Sequence, residues 1–239
     1  MADDASAGAA VARGERAASY AAFISYSHSD EELGDWLHRR LESYRVPSAL
    51  VGRSGSKGPI RKRLGKVFRD RVELSAAHDL GAEIRRGLEQ ADALIVLCSP
   101  RSCGSRYVAD EIRIFKALGK ADRIFAAIVD GEPHAAGKPG STPADECFPP
   151  ALIYRLGENG ALTNLPEPTE PIAADFREGK DGRENGSLKI IAGLLGVGLD
   201  ELVQRERQAE RTRRRRANII AVSMAVLALA RWLAEHLRG

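Results

Sequence analysis

The sequence predicts an α/β fold: a doubly wound parallel sheet of five strands, followed by a C-terminal helix and an apolar, membrane-type segment. Three observations predict it. Short aliphatic runs alternate along the chain with stretches of helical period. The clearest of them, residues 93–98, is a continuous aliphatic run, as strands buried on both faces are. Turn and capping residues separate them at the intervals that parallel crossovers need. With 239 residues, 44% hydrophobic and 29% charged, the chain suits one sizeable globular domain plus an appendage rather than a disordered polymer.

The elements follow in order. Residues 1–19 carry Asp3, Asp4, Arg13, Glu15 and Arg16 and no long apolar core, so they read as a loose Ala-rich tail and not as a secretory signal. Phe23, Ile24, Ser25 and Tyr26 form the first strand. Ser29 or Asp30 caps the next helix, with Glu31 and Glu32 in its first turn. Leu33, Trp36, Leu37, Leu41 and Tyr44 recur at helical spacing as its buried face, and Pro47 ends it. Residues 52–65, rich in Gly, Ser, Lys and Arg, read as an exposed loop. They lack the Gly-x4-Gly-Lys-Ser/Thr pattern, which argues against a P-loop nucleotidase.

Residues 66–70 make a second strand, 71–79 a loop, and Leu80, Ile84 and Leu88 mark a helix. Residues 93–98 are a continuous aliphatic run and the third strand, stopped by Ser99 and Pro100. Ser105 caps a helix carrying Tyr107, Ile112, Phe115 and Leu118. Residues 123–129 are the fourth strand, 130–150 an irregular Gly- and Pro-rich connection, and 171–176 the fifth strand. Residues 188–208 read as one last helix, which Glu201–Arg205 and Glu210–Arg214 pairs at i,i+4 would extend. This alternation is flavodoxin-like. In such sheets ligands gather at the carboxyl ends of the strands, here residues 25–28, 70–73 and 99–106.

Net charge is only +3, so no general attraction to nucleic acid follows and none is expected as a partner. The charge is concentrated in Arg211 and Arg213 to Arg216, directly before residues 217–230, which hold fourteen residues without a charge. Fourteen is short of the roughly 20 that cross a bilayer. A snorkelling Arg231 and an interfacial Trp232 would lengthen the span, and the preceding arginines match the positive-inside pattern. The expectation is therefore a single-pass anchor over 217–234 with the main domain on the cytoplasmic face of the membrane. The alternative is a packing helix on a soluble cytoplasmic protein. Cys98, Cys103 and Cys147 have no ligand-like spacing; no zinc site or disulfide framework is expected, which fits a reducing compartment.

Three short motifs then carry a resemblance. Phe23-Ile-Ser-Tyr-Ser27 lies at the first strand; Phe68-Arg-Asp-Arg71 precedes a polar loop; Ser99-Pro100 is followed by Tyr107-x-x-x-Glu111. In this order and spacing the chain resembles the Toll/interleukin-1 receptor (TIR) domain family, bacterial type, over roughly residues 21–176. The resemblance implies that residues 20–180 are the TIR domain, with residues 181–216 a C-terminal helix and basic run. It implies NAD+ as substrate, with no cofactor and no metal, and Glu111 as the catalytic carboxylate. Ser25, Tyr26, Arg71 and Tyr107 are the implied NAD-binding residues, Tyr107 standing where many relatives carry Trp. Asp70 would hold the so-called BB loop. Self-association or binding of other TIR domains is the implied switch, in signalling or defence.

The residues read by themselves allow the same chemistry. Tyr107 and Glu111 lie one helical turn apart, so both can face one side. A carboxylate beside ribose can stabilise the oxocarbenium character that develops when the nicotinamide bond breaks. His28 and His78 are loop residues that read as solvated. No Ser-His-Asp set and no His-Glu-x-x-His motif is present. A second reading is a non-catalytic module that binds other TIR domains. A receiver-like domain is the third, and it lacks the paired acidic residues expected after the first strand, where Ser27, His28 and Ser29 stand.

Overall fold

The computed structural model describes residues 20–55, 58–69, 80–168 and 171–236. The expected N-terminal tail, and the loop containing Asp70, Arg71 and His78, lie outside them.

Strand β1 (Ala22–Ser25) leads through a 3-10 turn (His28–Asp30) into helix α1 (Glu31–Ser43). A two-residue antiparallel pair, β2 (Ser54–Gly55) and β3 (Gly58–Pro59), interrupts the expected loop. Next come β4 (Val67–Arg69), α2 (Leu80–Gln90) and β5 (Leu94–Cys98). The short α3 (Pro100–Cys103) and longer α4 (Arg106–Ala117) precede β6 (Ile124–Ile128). After α5 (Pro150–Ile153), a hairpin of β7 (Tyr154–Leu156) and β8 (Leu162–Pro166) precedes β9 (Ile172–Asp175). Helices α6 (Gly182–Leu195) and α7 (Leu199–His236) complete the described chain.

Five strands form one parallel sheet in the order β4-β1-β5-β6-β9, the doubly wound arrangement expected from sequence. Both faces are covered, so the two-residue side-chain period sends successive residues into different cores. Ile24, Ile95, Leu97 and Ala127 join Leu37 and Leu41 of α1 and Ile191 of α6 on one face. Phe23, Leu94, Val96 and Ala126 join Leu88 of α2 and Ile112 and Phe115 of α4 on the other.

The single helix expected over 188–208 is two. Gly196 takes the left-handed conformation at φ 68°, its N–H bonds Gly193 O at 3.2 Å, and Val197 N–H bonds Ala192 O at 3.0 Å. That pair of bonds is a Schellman cap, and a helix ends where glycine can supply it. Gly193, one turn earlier, is needed for a different reason: a Cβ there would run into the Phe125 ring of β6. Ala in place of Gly193 is expected to cost about 1–3 kcal/mol through overpacking, measured as a lower urea midpoint with an unchanged slope.

The expected membrane anchor is not supported. No helix among the described residues is long and apolar enough to cross a membrane. The uncharged run belongs to α7, whose start packs on α6 through the buried Leu202. Fourteen residues at 1.5 Å each reach only about 21 Å, against about 30 Å of hydrocarbon. Farther along α7, Ile219, Ile220, Val222, Met224 and Val226 are 60–66% exposed.

A charged clamp ties the carboxyl ends of β6 and β9. Arg177 donates to both carboxylate oxygens of Asp175 (2.8 and 2.6 Å), to Gly131 O at 2.5 Å and to Glu132 at 3.0 Å. Hydrogen bonds from Lys138 and Arg177 hold the Glu132 carboxyl down at about 2. Burial pushes Asp175 up, but its bonds from Arg177 outweigh that and leave it below the usual carboxylate range. Both folded-state values are depressed, so this stabilisation is present above the unfolded carboxylate range near 4 and is lost as pH falls toward 2. Arg177→Ala is therefore expected to lower the melting temperature most at neutral pH. The gap to wild type should narrow steadily between pH 4.5 and pH 2 in a series of thermal melts.

Candidate active site

The site begins with the alternation along β1. Phe23 points toward α2 and α4, so Ser25, two residues on and the last of the strand, points the same way and is fully buried. Helix α4 is capped by Ser105, whose hydroxyl accepts the Val108 N–H at 3.4 Å. Its buried face carries Val108, Glu111, Ile112 and Phe115. That spacing puts Glu111 among apolar residues at only 4% exposure, and Ser25 Oγ donates to Glu111 Oε2 at 2.5 Å. A polar group in that setting needs hydrogen-bond partners, and Ser25 supplies one.

A second polar pair lies at the same edge of the sheet. Asp30, 6% exposed, accepts a bond from Ser99 Oγ at 2.7 Å, joining residues 69 apart in the chain. Burial raises the Asp30 carboxyl above its ordinary value; the Ser99 bond and Arg101 oppose the rise, and Asp130 adds to it. Ser99 also opens α3 with a reciprocal cap: its Oγ accepts Ser102 N–H at 3.1 Å, and Ser102 Oγ accepts Ser99 N–H at 2.7 Å.

The five sequence-predicted residues fall in different places. Ser25 and Glu111 are brought together. Tyr26, one residue beyond Ser25, turns to the other face, packs over Gly34 of α1 and belongs to the α1-side core. Tyr107 stands one turn before Glu111 but is 72% exposed, since it lies on the first turn of α4, away from the core. Arg71 lies outside the described residues. His28 is exposed and faces Glu31 at 3.4 Å.

Asp30 and Ser99 went unrecognised as partners in the sequence. Asp30 looked like a helix cap, and it does occupy the N-cap position of α1, but makes no capping bond there. A buried Asp just after a first strand, with a Ser just after the third, was the available signal.

Cys98, Cys103 and Cys147 are free. Burial pushes the Cys98 thiol well up and the Cys147 thiol to about 12, so both are protonated and inert as nucleophiles at neutral pH. Among the described residues no group of three or more His, Cys, Asp or Glu could hold a metal ion. Two surface clefts lie elsewhere. One of about 490 Å³ is lined by Arg40, Tyr44, Glu184 and Arg213, and one of about 440 Å³ by Arg123, Phe125, Ile172 and Gly193.

Known proteins were compared with this chain. The NAD(+) hydrolase ApTIR of Actinoplanes sp. is 29% identical over 217 residues, which are 88% of this chain and 28% of that protein. The chain thus spans little more than a quarter of that relative's length. The TIR domains of the activated Roq1 resistosome recognising the pathogen effector XopQ align with 48% of this chain and 60% of their own. That alignment has a TM-score of 0.35 and 15% identity, a level from which nothing further follows. The family model described as the TIR domain matches residues 22–145, from the start of β1 through β6, and so includes both polar pairs. By that match, extending over more than half of its length, the chain belongs to the TIR domain family.

Proposed function

We propose that this domain is an NAD+ nucleosidase that cleaves the nicotinamide–ribose bond, with Glu111 as the catalytic carboxylate. The observation that carries the reading is the Ser25–Glu111 bond: a nearly covered carboxylate held at 2.5 Å at the carboxyl edge of a parallel sheet. Such edges are where doubly wound folds take ligands. The likeness to a protein named as an NAD(+) hydrolase, at 29% identity, supports it.

The chemistry follows from the bond being broken. Nicotinamide leaves as a neutral molecule from a cationic ring nitrogen, so the leaving group needs no proton. Positive charge collects on the ribose, and a fixed carboxylate beside it lowers the barrier. Removed from water, that carboxylate acts more strongly than an exposed one. Ser25 fixes one of its oxygens and so orients the group. Water, or another nucleophile on NAD+ itself, then attacks the anomeric carbon. Tyr107, exposed one turn before Glu111, offers a face on which a ring of the substrate can stack. Arg71 is the proposed phosphate contact.

Burial of Glu111 fits activation by self-association. In the single chain the carboxylate is covered, so contact with another copy would supply the rearrangement that admits ribose. A role in signalling or defence goes with such a switch. The second reading is a non-catalytic module that binds other TIR domains.

NAD+ loss and nicotinamide release, followed by chromatography with the protein concentrated or crowded on a surface, separate the two. The wild type is expected to consume NAD+, and Glu111→Ala to lose about 10²-fold or more of that rate with its circular dichroism unchanged. No consumption by the crowded wild type would leave the binding module as the better reading. Ser25→Ala is expected to lower kcat about tenfold, with KM changed less than threefold, because orientation rather than ground-state binding is lost. An equal loss in KM would put Ser25 on the substrate instead.

A further inference from the structure

We infer that Asp30 is a positioning residue for Glu111, acting through Ser99 as the second of two ties that set how α4 sits against β1. The inference rests on the proposed reaction for its kinetic consequences and on geometry alone for the rest.

The argument concerns two short segments. Ser25 and Asp30 are five residues apart on the segment that leaves β1. That segment is itself closed by a bond from Asp30 N–H to Ser27 O at 2.8 Å. Ser99 and Glu111 are twelve residues apart on the segment that leaves β5. Its backbone is bonded throughout: Cys103 N–H to Ser99 O at 2.9 Å, Ser105 N–H to Ser102 O at 3.1 Å, and Ala109 N–H to Ser105 O at 3.1 Å. Ser25–Glu111 and Asp30–Ser99 therefore join the same two segments at two points. Val108, Ile112 and Phe115 seat α4 on the sheet, and two polar ties separated along both segments fix its fine position at this edge more tightly than one does.

Asp30 also forgoes the role its position offers. Asp at an N-cap normally accepts a backbone N–H of the next turn. Here the carboxylate makes no capping bond and reaches Ser99 instead. Ser99 is held from its own side by the Ser102 cap. Pro100, the next residue, is backed by the loop after β6, where a Cβ on Gly131 would come within 2.8 Å of the Pro100 ring. With Ser99 so held, the position of the Asp30 carboxylate fixes where the start of α3, and hence α4, lies relative to β1.

The test uses the full chain with glutamate ¹³C-labelled at the side-chain carboxyl, the Glu111 resonance being assigned by its absence in Glu111→Gln. Asp30→Ala, Ser99→Ala and Asp30→Asn are compared with wild type for that resonance, for melting temperature and for NAD+ turnover. Asp30→Asn keeps an acceptor for the Ser99 hydroxyl. Asp30→Ala and Ser99→Ala are expected to move or broaden the Glu111 resonance alike and to lower kcat about tenfold with KM changed less than threefold. The double variant should be no worse than either single one, and Asp30→Asn should restore most of both signals.

A lower melting temperature with the Glu111 resonance and kcat unchanged would overturn the inference, leaving Asp30 a structural residue only. If Asp30→Ala does not fold, Ser99→Ala and Asp30→Asn decide by the same readings. If the wild type does not consume NAD+, the proposed reaction fails by itself, and the resonance still decides whether Asp30 positions Glu111.

Discussion

A parallel sheet covered on both faces leaves each strand residue only one of two destinations, and the rest of this structure depends on that choice. Along β1 and the residue that follows it, the alternation sends Ile24 and Tyr26 to the α1 side and Phe23 and Ser25 to the α4 side. A slip of one residue would place Ser25 under α1, where no Glu111 waits. Pairing with β4 on one side and β5 on the other holds the register, Phe23 opposite Phe68 and Leu94, Ile24 opposite Arg69 and Ile95. The large apolar residues thereby determine the placement of a small polar one.

Two carboxylates, Asp30 and Glu111, are buried at the end of this sheet, and burial works against both. Taking a carboxylate out of water costs several kcal/mol, while a hydrogen bond to a charged group returns about 1.5–3 kcal/mol. For Asp30 the balance is visible in its carboxyl, which burial raises above its ordinary value despite the Ser99 bond and Arg101. Apolar residues of similar size would pack the same space with less conflict. A domain of ordinary stability tolerates such groups where they do something, and both lie where doubly wound folds bind ligands. Their serines come from the carboxyl ends of β1 and β5, neighbours in the sheet, so the two pairs share one frame.

Much of the architecture was legible in the chain. Residues 93–98 and 124–129 are apolar throughout, the pattern expected of a strand buried on both faces. The elements missed were those with weak local signals. The β7–β8 hairpin has exposed residues on both strands, so no alternation marks it. The break at Gly196 was written in Gly196 and Gly198, but the i,i+4 charge pairs that follow masked it. The anchor expected over 217–234 came from counting apolar residues and adding flanking arginines. The uncharged stretch of α7 is too short for the span, and flanking charge does not lengthen a helix.

The sequence by itself determined the fold class, the succession of the five sheet strands along the chain and the family, because burial pattern and motif spacing are local and survive in one dimension. It also marked Glu111 and Ser25. It did not say that these two meet across 86 residues while Tyr26, beside Ser25, turns away. Nor did it say that Asp30 forsakes its own helix for Ser99. Those outcomes were decided by the tertiary structure, since a side chain's partner depends on which strands become neighbours, and a buried polar group takes whichever donor the packed sheet brings within reach.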